Sequence, residues 1–401
     1  MKILRIIARL NVGGPARHVV WLTERLNDGE FESVLIAGTV PKGEESMGYM
    51  AEQHGVRPLF IEEMSRELSP KDLISLFKVL REIRRLQPDI IHTHTAKAGT
   101  IGRGAAILYR LITLGRRKVR VVHTFHGHVF HSYYGRLKTG IFITIEKLLA
   151  RFATDKIVVI SPQQFHEIHE EVGVGRRAQF EIIPLGIDLG ALAKTANRRN
   201  FRRELGIEDS DILVGFVGRL TEIKDVSLYL RVAALVQEGT RQLRMRFAIV
   251  GEGHLRQALE NEAKTLGMGD SILFLGNRTD MESVYAGLDI VALTSRNEGT
   301  PLSLIEAMAA RRPVISTIVG GVRDLLGATV EERDGFRVCD RGVGIESRSA
   351  DEYKKGLIYL AENERLRESL AESGREFVEA EYSKDRLVRD IAQLYRALLA
   401  N

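Results

Sequence analysis

The chain has one cysteine, Cys339, among 401 residues. That excludes an internal disulfide and any cysteine-rich metal site, and it fits a reducing cytoplasm. Long apolar runs are also lacking. No window reaches the ~18 uninterrupted apolar residues of a membrane span. The N-terminus is interrupted by Arg5 and Arg9 and has no small-residue cleavage pattern, so it reads as a first strand and not as a secretory leader. Aromatic residues make up 6%. The scattered Lys and Arg come with no helix-turn-helix, zinc finger or aromatic RNA-binding signature, which sets nucleic acid aside as a partner. The formal net charge of +5 then points to anionic small molecules or anionic lipid surfaces.

What is present describes a globular α/β protein. Hydrophobic residues at 44% and charged residues at 28% are ordinary, and the length exceeds a single core, so two domains are expected. Apolar strands alternate with amphipathic helices, the pattern of parallel sheets. Strands are expected at 2–8, 33–38, 57–61, 89–93, 119–125, 156–160 and 180–183, with helices at 15–27, 70–86, 100–114 and 138–153. After the polar stretch Lys194 to Arg203 the cycle restarts, with strands at 212–217, 244–250, 271–274, 288–294 and 313–317. The expected architecture is two doubly wound, Rossmann-like domains, 1–190 and 205–383, facing each other across a cleft at the carboxyl ends of their strands. Leu387, Ile391, Leu394 and Leu398 give 384–399 a helical period, and this helix is expected to pack back on the N-terminal domain.

The most specific stretch runs from Asn297-Glu298-Gly299-Thr300-Pro301-Leu302 to Glu306, directly after the apolar run Leu288–Thr294. The run reads as a buried parallel strand, with Pro301 opening a helix and Thr300 capping it. Free N–H groups at such a start favour an anion such as a diphosphate. Glu298 precedes the helix and Glu306 lies roughly 9 Å along it at about 1.5 Å per residue. That spacing suits a sugar at one end of a diphosphate and a ribose at the other, because carboxylates accept hydrogen bonds from vicinal hydroxyls. Taken alone, the pair reads as solvated charges.

Four motifs together resemble the nucleotide-binding half of the retaining glycosyltransferases of family 4, which have the two-domain GT-B fold. They are Phe216-Val-Gly218-Arg219-Leu-Thr-Glu-Ile-Lys224, Val250-Gly251-Glu-Gly253, Leu275-Gly276-Asn277-Arg278-Thr-Asp280, and Glu298 through Glu306 with Gly320-Gly321 beyond. The resemblance implies that Arg219 and Lys224 contact the diphosphate, that Gly218 and Gly251 line the donor site, and that Asn277 and Arg278 meet the base through a turn. It also implies that Glu298 holds the sugar and Glu306 the ribose, with Gly299, Thr300, Pro301 and Leu302 at the phosphates. In the N-terminal half it places the loop bearing Gly13 and Gly14 near the donor, and His126, in His126-Gly127, at the sugar and the reaction centre. His94, Lys97, His128 and His131 are assigned to the acceptor side. A donor phosphate needs cations and fixed dipoles as charge builds on the leaving group.

The resemblance implies a metal-independent enzyme that needs no cofactor and uses a nucleoside diphosphate sugar, expected to be UDP-linked. The acceptor is expected to be a saccharide or a polyprenyl-linked glycan. The one Asp-x-Asp, Asp209-Ser-Asp211, lies in the connector between domains, a poor place for a cation clamp. The histidines lack zincin-like spacing, so no metal site is expected. NAD is set aside because neither glycine cluster has the G-x-G-x-x-G order. The segments 108–118 and 133–152 mix Lys and Arg with apolar residues and are candidates for peripheral contact with an anionic membrane, which would put a cytoplasmic protein at the inner face. They read equally as core helices with snorkelling cations. Other readings are a UDP-sugar 2-epimerase of the same architecture and a non-catalytic nucleotide-sugar-binding protein. Residues 327–350 depart from the family's pattern, and Leu185 stands where the family often has Asn.

Overall fold

The computed structural model describes residues 1–11, 14–40, 46–64, 70–126, 136–192, 198–239 and 244–400. Gly13, His128 and His131 lie outside them, as do residues 133–135 of the basic-apolar segment. The chain divides into two compact units, Met1–Gly186 with Lys384–Asn401, and Ile187–Ser383. Each carries one sheet dominated by parallel pairs, the fold class expected from the alternation of strands and helices.

The first unit holds β1 (Lys2–Ile7), β2 (Glu32–Gly38), β3 (Leu59–Ile61), β4 (Ile90–His94), β5 (Arg120–Thr124), β6 (Lys156–Val159) and β7 (Phe180–Ile182). Their order is β3-β2-β1-β4-β5-β6-β7, all pairs parallel. β4 is buried at every position and β1 at all but its first. Both faces of a parallel sheet are covered, so these strands show no alternation of exposure and bury polar side chains, Arg5, His92, Thr93 and His94, along with the aliphatic ones. Helices α1 (Gly14–Arg25), α2 (Asp72–Leu86), α3 (Ala96–Ile112) and α4 (Arg136–Phe152) connect strands. α3 starts at Ala96, a turn earlier than the periodicity predicts.

The C-terminal helix Lys384–Ala400 belongs to this first unit. Its Leu387, Ile391, Leu394 and Leu398 share a core with Ile3, Leu22, Phe31 and Ile90. Tyr395 Oη lies 2.6 Å from His92 Nδ1 on β4 and accepts from the buried Arg5 at 3.4 Å. At the rim, Arg25 pairs with Asp385 at 2.9 Å and Arg396 with Glu30 at 2.7 Å.

The second unit holds β8 (Ile212–Val217), β9 (Met245–Val250), β10 (Ile272–Gly276), β11 (Ile290–Leu293), β12 (Val314–Thr317), β13 (Thr329–Arg333), β14 (Phe336–Cys339) and β15 (Gly342–Ile345). The order is β10-β9-β8-β11-β12-β15-β14-β13. β12 pairs parallel with β15, whereas β15-β14 and β14-β13 are antiparallel. The departure at 327–350 is therefore a three-strand antiparallel extension. β13 is exposed at all five positions, so it lacks the apolar alternation that announces a strand. Its signal is the turn Asp334-Gly335, with Gly335 at φ +88°, a dipeptide suited to tight hairpins.

In both sheets the order of the parallel strands turns over, between β1 and β4 and between β8 and β11. Loops leaving neighbouring strands in opposite directions open a crevice there, and ligands of open α/β sheets bind at such points.

Candidate active site

In the second unit, β8 leads through Gly218 and Arg219 into a short turn, Glu222–Lys224, and then into α5 (Val226–Gly239). Asp225 adopts the left-handed region, φ +45°. Its buried carboxylate is held by Arg348 at 2.5 Å and Arg296 at 3.3 Å. The loop after β11 is stitched to this turn: Arg296 N–H donates to the Ile223 carbonyl at 2.8 Å, and Thr294 Oγ1 donates to that of Lys224 at 3.2 Å. These bonds fix the Lys224 backbone before any ligand arrives. Its ammonium pairs with Glu298, whose same oxygen accepts from Ser295 Oγ at 2.5 Å.

The Lys224 and Glu298 side chains are only 16% and 11% exposed, so their attraction acts at reduced dielectric. An ammonium has three donors; one used on Glu298 leaves others for phosphate oxygens. Arg219 is exposed and has no ion pair among the described residues. A guanidinium without a carboxylate partner is suited to bidentate phosphate contact.

Glycine governs how closely these loops approach. Gly321 N–H donates to the Glu298 carbonyl at 3.0 Å, and a Cβ there would run into the Gly299 carbonyl oxygen. Gly251, at φ +138°, lies against the Gly218 carbonyl, where a Cβ would also collide. Both contacts are backbone on backbone, so no side chain can move aside.

Helix α6 (Leu302–Ala309) follows. Pro301 is its N-cap, extended at φ −72° and ψ 106°, and no side chain caps it. This corrects the expected Thr300 cap with Pro301 as first helical residue. Proline's fixed φ suits extended backbone as well as a first turn. The Thr300 hydroxyl is buried with no partner among the described residues, and so is that of Thr221 in the β8 loop. Leu302 opens the helix, whose first N–H groups have no intrahelical acceptor.

Glu306 sits on α6 and accepts from Tyr285 Oη at 2.9 Å. Burial, then the Glu306 charge, raises the Tyr285 pKa well above its ordinary value, keeping the phenol a donor. Asn277 is exposed just after β10. Arg278 is committed elsewhere: it bonds Asp280 at 2.8 Å and Glu204 at 2.6 Å, with its guanidinium 5.5 Å from the Phe201 ring centre. The side chain of Arg278 thus anchors the turn. In the connector, Asp211 is buried and caps the Glu208 N–H at 3.2 Å, whereas Asp209 is exposed.

In the first unit, Gly14 opens α1 and His94 ends β4. His94 Nδ1 lies 2.9 Å from Nε2 of His126, two residues past β5. His18, buried on α1, joins them: its ring centre is 4.7 Å from that of His126 and 5.5 Å from that of His94. Both nitrogens of His18 and Nε2 of His94 are buried without a partner among the described residues. Ligand atoms of the three rings lie within 4.8 Å of one another, close enough to hold a metal ion. Neither the grouping nor His18 was visible in the spacing, because the rings come from three elements. The only hint is His18 in the first turns of a helix that follows Gly13-Gly14.

Burial is the leading cause that pushes His18, His92 and His94 well below the usual histidine range. It brings His126, half-buried but hemmed in by His18 and His94, to about 3. These rings are neutral. His92 and His123 are core residues, His92 bonded to Tyr395 and, at 2.7 Å, to Thr124 Oγ1, and His123 to Thr93 Oγ1 at 2.8 Å. Lys97 is 7% exposed with its ammonium 2.7 Å from Asp72, so its charge ties α3 to α2.

Each half of the chain matches a family model, "Glycosyltransferase Family 4" over residues 12–191 and "Glycosyl transferases group 1" over 197–377. Among curated proteins, the Escherichia coli UDP-Gal:α-D-GlcNAc-diphosphoundecaprenol α-1,3-galactosyltransferase is 28% identical over 78% of this chain and 76% of its own length. The N-acetyl-α-D-glucosaminyl L-malate synthase of Bacillus anthracis is 26% identical over 81% and 82%. Among solved structures, Anabaena HepE in complex with UDP has a TM-score of 0.79 at 19% identity, covering 99% of this chain and all of that one. Sucrose-phosphate synthase from Thermosynechococcus elongatus has a TM-score of 0.74 at 20% identity, covering all of both chains. At such identities these likenesses speak for the fold.

Proposed function

The chain belongs to glycosyltransferase family 4, and on that premise we propose that it moves a sugar from a UDP-sugar to a hydroxyl of a lipid-linked saccharide, with retention at the anomeric carbon and without a metal at the diphosphate. One observation carries the donor side: the Lys224–Glu298 pair at the β8/β11 turnover, beside the start of α6. Lys224 keeps its bond to Glu298 and turns its remaining donors to the diphosphate. Arg219 supplies a second cation, and the first N–H groups of α6 add a fixed dipole. Together they stabilise the charge that grows on the departing diphosphate. Glu298 then holds sugar hydroxyls between Lys224 and Ser295, and Glu306, oriented by Tyr285, takes the ribose. Neutral His126 orients the sugar at the reaction centre. A neutral imidazole can donate there without competing for the phosphate charge.

UDP is preferred because the named E. coli relative takes UDP-Gal and the similar Anabaena structure holds UDP. That relative's acceptor is a diphosphoundecaprenol, which supports a lipid-linked acceptor here. The surface of the first unit supports it too. α2 and α3 pack together and expose Leu73, Phe77, Leu111 and Ile112, with Leu114 exposed just past α3, close in sequence to the exposed cations Arg81, Arg84, Arg116 and Arg117. Apolar side chains interleaved with cations suit the surface of an anionic bilayer. No helix among the described residues is long and apolar enough to cross a membrane.

The test is release of nucleoside diphosphate from a panel of UDP-, GDP- and ADP-sugars, with EDTA present and no acceptor. Slow hydrolysis of one UDP-sugar is the expected result. Conversion of UDP-GlcNAc to its C2 epimer would replace the transferase with an epimerase. Tight UDP-sugar binding without turnover against any acceptor would leave a binding protein.

A further inference from the structure

The imidazoles of His18, His94 and His126 are the only group of three potential metal ligands that meet in this way among the described residues. They come from α1, from the end of β4 and from the loop after β5, so no local motif brings them together. Their unpaired nitrogens set them apart from ordinary core histidines. His92 and His123 each bond a hydroxyl, whereas both nitrogens of His18 and Nε2 of His94 have no hydrogen-bond partner among the described residues. Burying such groups unpaired costs about 1–3 kcal/mol each, and an ion removes that cost for the one nitrogen of His18 that it ligates.

We propose that His18, His94 and His126 bind one divalent transition-metal ion of the zinc class, with a fourth position left to water or a small anion. Three imidazoles and an open position are a common zinc arrangement, with bonds of about 2.0–2.1 Å. Borderline imidazole nitrogen selects Zn²⁺, Cu²⁺ or Ni²⁺ over Mg²⁺ or Ca²⁺. No carboxylate joins the set, and the charges of Arg5 and Arg386 act on His18, so an anionic fourth ligand is favoured. The His94–His126 separation of 2.9 Å opens by a few tenths of an ångström to take the ion. Occupation of the site and the sugar contact at His126 are alternatives, so the ion resides in the donor-free protein. Binding itself does not depend on the transferase reading.

The experiment uses the full chain stripped by a chelator and titrated with Co²⁺ and then Zn²⁺ without any nucleotide sugar. One ion per chain, visible bands of four-coordinate Co²⁺ and displacement by Zn²⁺ are expected. His18→Gln and His94→Gln should each weaken binding at least ~10-fold, since even residues that only support ligands cost that much. His166→Gln is the control, because His166 lies 2.5 Å from Glu170 on the surface and could capture zinc by itself. Should the buried variants fail to fold, X-ray absorption of the zinc-loaded wild type decides, with three imidazoles at about 2.0 Å expected. No bound ion, fewer than three imidazoles, or binding abolished by His166→Gln alone overturns the proposal.

Discussion

The two places where strand order turns over handle polarity in opposite ways. At β8/β11 the loops carry ionised groups, Lys224 against Glu298 and the exposed Arg219, held by backbone contacts that only glycine permits. At β1/β4 the polar groups are imidazoles that burial keeps neutral, His126 at about 3 and His94 well below its ordinary value. A diphosphate needs fixed charge, which belongs to the first place. A sugar ring has no charge to match and is served by neutral donors and acceptors. The same topology therefore supplies two environments, one charged and one neutral, and side-chain chemistry makes the difference.

The contrast can be broken by substitution. Lys224→Ala should have the largest effect, lowering turnover of the UDP-sugar by about 100- to 1,000-fold, measured by UDP release, while circular dichroism shows the fold intact. Gly321→Ala adds a carbon against the Gly299 carbonyl. It should lower kcat/KM about 100-fold through displacement of the Glu298 loop and cost more than about 1 kcal/mol of stability, read from the urea midpoint. His126→Ala should lower kcat about tenfold and leave UDP affinity within about twofold, since the loss falls on the sugar and not on the phosphates. The reverse outcome, UDP binding lost with His126 and kept without Lys224, would invert the comparison. Tyr285→Phe is the mildest. It removes one hydrogen bond to Glu306, worth about 0.5–1.5 kcal/mol, and should raise KM for the donor a few-fold without changing kcat.

What the sequence disclosed follows the same division. The strands flanking each turnover are buried on both faces and start from or consist of aliphatic runs, so their positions were legible within a residue or two. Glu298 and Glu306 stood out by their spacing after a buried strand, and Lys224 by the resemblance of its motif. β13 was not, because Thr-Val-Glu-Glu-Arg is exposed throughout and owes its form to pairing with β14. The start of α6 was displaced by one residue because proline satisfies both an extended cap and a first turn. The role of Arg278 needed the distant Glu204 to be visible. The meeting of His18 with His94 and His126 was hidden, since nothing local relates residues 18, 94 and 126 until the parallel sheet is assembled.

The helix Lys384–Ala400 has a consequence for biogenesis. Tyr395 bonds His92 on a central strand, and Leu387 and Ile391 complete a core begun by Ile3. On the ribosome, the unit that emerges first therefore waits for residues beyond 384, while Ile187–Ser383 is synthesised whole in between and has all its own strands to hand. The usual vectorial order, N-terminal domain first, is reversed: the later unit can finish while the earlier one stays open along the flank that this helix covers. A nascent chain lacking residues beyond 383 exposes that apolar flank, which is covered only once the whole helix has emerged and docked.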